Sequence, residues 1–197
     1  TPDENEMREK YLEVINREPQ KRITRYAAGI MGGTGFAVFF GCNLRDAVIA
    51  FIVSVMIVAV GDWLAKRESN LLVYNGILAF ISEVIIIGAL KMGIAEHPDR
   101  IMIGIVMLLI SGLSTTNGIR DLLQRDFISG FINIMNSFLG AAGIAFGIGL
   151  AIILFHEGYS DHFILNHSVP IQLLSCTVAC TGFALWFKIR GKQVWYN

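Results

Sequence analysis

Charge is scarce in this 197-residue sequence: Asp, Glu, Lys and Arg make up 16% of it, against about 25% in soluble domains. The 16 basic and 16 acidic side chains cancel. That leaves no basic field for a nucleic acid and none of the net charge that keeps a chain disordered. Cysteine is too sparse for a disulfide framework. Cys42, Cys176 and Cys180 are an odd three without metal-binding spacing, and Cys176 and Cys180, one helical turn apart, read as small residues at a helix contact. The four histidines, His97, His156, His162 and His167, match no zinc motif, so neither a metal nor a cofactor is expected. What fills the sequence instead is apolar: 54% of residues are hydrophobic and mean hydropathy is +0.57. An ordinary soluble enzyme is excluded. Barrel strands would alternate apolar and polar residues over about ten positions, and no stretch does so. The sequence therefore reads as an all-α integral membrane protein.

Six apolar runs stand out: Tyr26–Gly41, Ala47–Leu64, Leu71–Met92, Ile101–Asn117, Phe127–Phe155 and Val169–Phe187. A span needs about 20 residues, so about six transmembrane helices are expected. The fifth run, at about 43 Å as a helix, must tilt or project from the bilayer. If the N-terminus is placed on one side, that side collects Arg8, Lys10, Arg17, Lys21, Arg22, Arg25, Lys66, Arg67, Arg120, Arg125, Lys188, Arg190 and Lys192. The other side receives only Arg45, Lys91 and Arg100. Basic residues favour the cytoplasm, which predicts a multi-pass protein with its N-terminus inside the cell. The expected division is an amphipathic cytoplasmic lead-in over 1–22 and a five-helix membrane domain over 23–155. An extracytoplasmic loop over 156–168 and a sixth helix within 169–197 complete it. The sequence opens on polar residues without Met and reads as a piece of a longer protein.

Inside the membrane segments, three features carry chemistry. Run one (Gly29, Gly32, Gly33, Gly35) and run five (Gly140, Gly143, Gly147, Gly149) are glycine-rich, which lets helix backbones approach closely. Run four changes from an apolar first half to Ser111-Gly112-Leu113-Ser114-Thr115-Thr116-Asn117-Gly118, with Ser111-Gly112 near the bilayer midplane. Two readings stand: a helix broken near Ser111-Gly112, offering free N–H groups and a positive dipole to a carboxylate, or a continuous helix whose hydroxyls bond back to i−4 carbonyls. Glu83 lies near the middle of run three, where a charge is costly and marks a cavity, a pair or a proton carrier. Asp46 opens run two, and Asn133 and Asn136 lie one turn apart in run five. No histidine lies within a span to serve a serine nucleophile, so an intramembrane enzyme is set aside.

The stretch from Leu109 to Leu122, with Thr116-Asn117-Gly118-Ile119-Arg120-Asp121-Leu122 at its heart, continues to Asp126-Phe127-Ile128-Ser129-Gly130. It resembles the threonine/serine exporter family, whose fold is shared by two-component succinate exporters. The similarity runs over residues 10–155, and Gln172–Phe187 resembles the first helix of the family's second membrane half. The chain differs where the family has Pro (Ser111), Ala (Gly118), and an Arg and a Glu three apart (Asn133 and Asn136).

The resemblance implies a secondary transporter of a bacterial inner membrane that exports threonine and serine by proton antiport. Alternatives are a dicarboxylate (succinate) exporter component and a non-transporting scaffold subunit. Ser111, Gly112, Thr115, Thr116, Asn117, Asn133 and Asn136 are the expected substrate-facing residues. Glu83 and Asp46 are the expected proton or ammonium partners, and Arg120 with Asp121 a gate or a structural pair. The expected partners are the lipid bilayer, a small-molecule substrate, a second membrane half (fused or separate) and a further copy of the chain, with no nucleic acid.

Overall fold

Glycine and asparagine set where the helices stop and start. After Phe39, Gly41 turns left-handed (φ 95), Gly41 N donates to Val38 O and Cys42 N to Ala37 O, which closes a Schellman cap that only glycine adopts without strain. Gly93 (φ 70) ends a later helix in the same way. Asn70 opens the helix between them, its side chain accepting from Leu72 N at 3.0 Å. A computed structural model describes residues 22–68, 70–110, 112–155 and 169–186. Among these residues the chain is all-helical: α1 Arg22–Phe39, α2 Leu44–Leu64, α3 Leu71–Lys91, α4 Pro98–Leu109, α5 Gly112–Leu123, α6 Phe127–Phe155 and α7 Val169–Trp186. The expected lead-in up to residue 21, the loop 156–168 and Ser111 lie outside the described residues.

Among the described residues three helices, α2, α3 and α6, are long and apolar enough to cross a bilayer, and α4 with α5 makes a fourth if the bent pair counts as one span. That is fewer than the six spans expected. α7 is apolar but shorter. α1 has 18 residues, and Arg22, Arg25, two threonines and four glycines dilute its apolar character. The chain is a multi-pass membrane protein.

Helix pairing follows the small residues rather than chain order. α1 packs on α7, α2 and α4, while α3 packs most extensively on α6. A methyl added to Gly35 would come within 2.9 Å of Ala179 N, and one on Gly104 within 2.7 Å of the Ala37 backbone. Such approach brings dispersion and weak hydrogen bonds into range where water supplies no drive. The buried centre, including Ala37, Ala50, Val53, Leu78, Ile86, Ile101 and Ile105, lies among α1 to α4. Phe131, Phe138, Phe146 and Ile153 of α6 point outward, as lipid-facing side chains do.

Candidate functional site

Run four is broken. α4 stops at Leu109, Ile110 takes an extended backbone (φ −65, ψ 126), and Gly112 N turns back to Ile110 O at 3.0 Å. The helices on either side, Pro98–Leu109 and Ser114–Leu123, are inclined by 51°. No proline is present to cause the bend. Thr116 Oγ1 donates to Gly112 O at 3.0 Å, so hydroxyl back-bonding operates beside the break, and both readings of this stretch describe part of it.

A cavity of about 890 Å³ lies between the ends of α1 to α4. Its mouth carries Arg25, Asp62 and Lys66; its walls include Tyr26, Tyr74, Asn75 and Leu78; Leu108, Leu109 and Ile110, the last turn before the break, close one side. Arg25 Nη2 is ion-paired with Asp62 Oδ1 across α1 and α2, with the two side chains 41% and 26% exposed. The buried Asn75 donates to Gly140 O at 3.3 Å, tying this wall to α6. Sequence reasoning missed the cavity because its polar residues come from three separate runs. Asp62 at the end of α2, facing Arg25 near the start of α1, was the available signal.

The Asp-x-x-Ser-Gly stretch builds a helical hairpin. Arg125 adopts a left-handed backbone (φ 65), with Arg125 N bonded to Leu122 O and Asp126 N to Asp121 O, a Schellman cap on α5. Asp126 then caps α6, accepting from Ser129 N at 3.2 Å. Asp121 Oδ2 accepts from Ser129 Oγ (3.1 Å) and Asn133 Nδ2 (2.9 Å). Gly118 and Gly130 sit at the crossing, where a methyl on Gly130 would lie 2.8 Å from Gly118 O. Asp121 is therefore bound to α6, and Arg120 is exposed.

The remaining expected site residues are dispersed. Gly112, Thr115, Thr116, Asn117 and Asn136 are exposed on the α5–α6 hairpin, and none of them lines the cavity. Asp46 is fully buried and accepts from Glu96 N (2.9 Å), His97 N (3.4 Å) and His97 Nδ1 (3.1 Å). It ties the start of α2 to the loop before α4. Glu96 in turn accepts from Asn43 Nδ2 (2.8 Å) and Arg45 Nη1 (3.0 Å), and Arg100 Nη1 donates to Gly41 O. Glu83 is 1% exposed. It shares the buried face of α3 with Asn75, Ala79 and Ser82, about 12 Å along the helix from Asn75. Among the described residues no cluster of His, Cys, Asp and Glu could hold a metal ion.

Comparison with known proteins gives this arrangement a family. Residues 3–155 match the family model described as "Putative threonine/serine exporter". A threonine/serine exporter of Corynebacterium glutamicum is 25% identical over 156 residues, covering 76% of this chain and 32% of that protein. The chain thus spans about a third of the length of that curated relative. No solved structure matches it. The family is one of transporters rather than enzymes. With the match running from the start of the chain through the glycine-rich α6 and taking in the broken span, the cavity walls of α1 to α4 and the hairpin, the chain belongs to the threonine/serine exporter family.

Proposed function

We propose that this chain forms the substrate-entry half of a secondary transporter that moves threonine and serine out of a bacterial cell by proton antiport. In this reading the N-terminus is cytoplasmic and the cavity mouth faces the cytoplasm, because Arg25, Lys66, Arg67, Arg120 and Arg125 all belong to the N-terminal side. The observation that carries the proposal is the cavity: about 890 Å³, within the size range of small-molecule sites, charged at its mouth and polar along its wall. It ends on the last turn of a broken helix, the kind of backbone at which transporters place substrates.

Glu83 is the group proposed to carry the exchanged proton or to meet the substrate ammonium. Its buried carboxyl lies beyond Asn75 on the same face of α3. Asp46 serves less well, since its carboxylate is engaged by the Glu96–His97 backbone and ring. Thr115, Thr116, Asn117 and Asn136 expose polar groups on the hairpin, which in this reading stands within the bilayer, where backbone and side chains need protein or water beside them. A second membrane half packed on this face would complete the pathway. A dicarboxylate suits the cavity poorly, because Asp62 stands beside Arg25 at the mouth.

The test is efflux of labelled threonine from preloaded cells that express the complete exporter. Efflux that requires the protein, stops with a protonophore and is lost in Glu83→Gln supports the proposal. Efflux of succinate but not of threonine, or threonine efflux indifferent to both protonophore and Glu83→Gln, would overturn it.

A further inference from the structure

We infer that Arg25 and Asp62 form the zwitterion receptor of the cavity: Arg25 takes the carboxylate of an α-amino acid, and Asp62 its ammonium. The inference rests on the reading of the cavity as the entry chamber, and it names the residues that select an amino acid there.

Three observations carry it. First, the two charges are of opposite sign, lie on adjacent helices and are in direct contact, yet both remain partly exposed and both line the cavity. An α-amino acid carries its carboxylate and ammonium on one carbon, so its two charges are about as closely spaced as those of a contact ion pair. Such a solute exchanges one ion pair for two without adding net charge to the wall. Second, a guanidinium offers a planar fork of donors matched to a carboxylate, and a carboxylate oxygen accepts an N–H of an ammonium, which has three donors and no acceptor. A solute with only one of these charges must leave Arg25 or Asp62 facing an unmatched group. Third, polar groups for a hydroxyl side chain stand on the same wall. Tyr74 Oη lies against Gly61, where an added methyl would come within 2.8 Å of it. Asn75 uses one amide N–H on Gly140 O, and its amide has a second donor and an acceptor. Both residues lie on α3 and line the cavity together with the Arg25–Asp62 pair of α1 and α2. Threonine and serine carry all three groups: carboxylate, ammonium and a short-armed hydroxyl.

The experiment measures inhibition of labelled threonine transport in vesicles bearing the complete exporter, using threonine, 3-hydroxybutyrate (no ammonium) and threoninol (no carboxylate) as competitors. Threonine is expected to compete best. Asp62→Asn should weaken threonine by about tenfold or more while leaving 3-hydroxybutyrate unchanged or improved, and Arg25→Gln should do the same for threonine while sparing threoninol. Arg25→Lys and Asp62→Glu, which keep the charges, should retain the ranking at reduced affinity and serve where the neutral variants do not reach the membrane. If both neutral variants weaken all three compounds by one common factor, or weaken none, the pair is a structural clamp and the inference is overturned. Absence of threonine transport by the unaltered protein would instead sink the proposed function, and this assignment with it.

Discussion

Gly130→Ala tests whether the hairpin depends on the closeness of its crossing. The added methyl would meet Leu122 Cγ at 2.7 Å and Gly118 O at 2.8 Å. Ordinary contact begins at 3.4 Å, so α5 and α6 must separate by about 0.6 Å at a point where one obstacle is backbone. Overpacking of this kind costs about 1–3 kcal/mol. Gly149 supplies the control: it lies on the same helix, and an added methyl meets nothing within 4 Å. Alanine gains up to about 1 kcal/mol of helix propensity at either site, so the difference between the two variants isolates the crossing. Reversible unfolding in mixed micelles should place Gly130→Ala about 1–3 kcal/mol below Gly149→Ala. Equal stabilities would refute the close crossing and the hairpin built on it.

Two other outcomes are expected. Asp121→Ala removes the shared acceptor of Ser129 Oγ and Asn133 Nδ2 and should cost about 1–3 kcal/mol; a double-mutant cycle with Asn133→Ala that shows no coupling would dissolve the proposed α5–α6 clamp. Burial, followed by the Asp46 carboxylate, pushes the Cys42 thiol up to about 12. At pH 8 its thiolate is then rarer than that of an exposed thiol by about three orders of magnitude, and maleimide should modify the folded protein correspondingly slowly. Because the proton is held more tightly in the folded chain, the associated stability is fully present below pH 9 and is lost as pH rises towards 12. Labelling of Cys42 at pH 8 as fast as in denatured protein would contradict its burial.

The sequence was most legible where one residue type decides the outcome. Apolar runs located α2, α3 and α6, and the change of composition after Ile110 marked the stretch where α4 gives way to α5. Gly41 and Gly93 end helices where glycine is cheapest. Pairing was harder to read. α2 and α3 are apolar around most of their circumference, so periodicity does not say which face is buried, and α3 joins α6 through Gly76, Gly143 and Gly147 rather than a sequence neighbour. The cavity was harder still to read, since Arg25, Asp62 and Tyr74 come from three helices and meet only in the fold. Asp121 was read beside Arg120 because they are adjacent in sequence. On a helix, adjacent side chains point about 100° apart, and Asp121 faces Ser129 and Asn133.

The central claim is that substrate enters through the cavity between α1 and α4 from the cytoplasm. A single cysteine at Ile110, in a background with Cys42, Cys176, Cys180 and any further cysteine of the complete exporter replaced, tests it most directly. With the complete exporter in oriented vesicles, a membrane-impermeant maleimide should label this cysteine from the cytoplasmic face, and threonine should slow the reaction. Labelling only from the opposite face, or at a rate indifferent to threonine, would contradict the account.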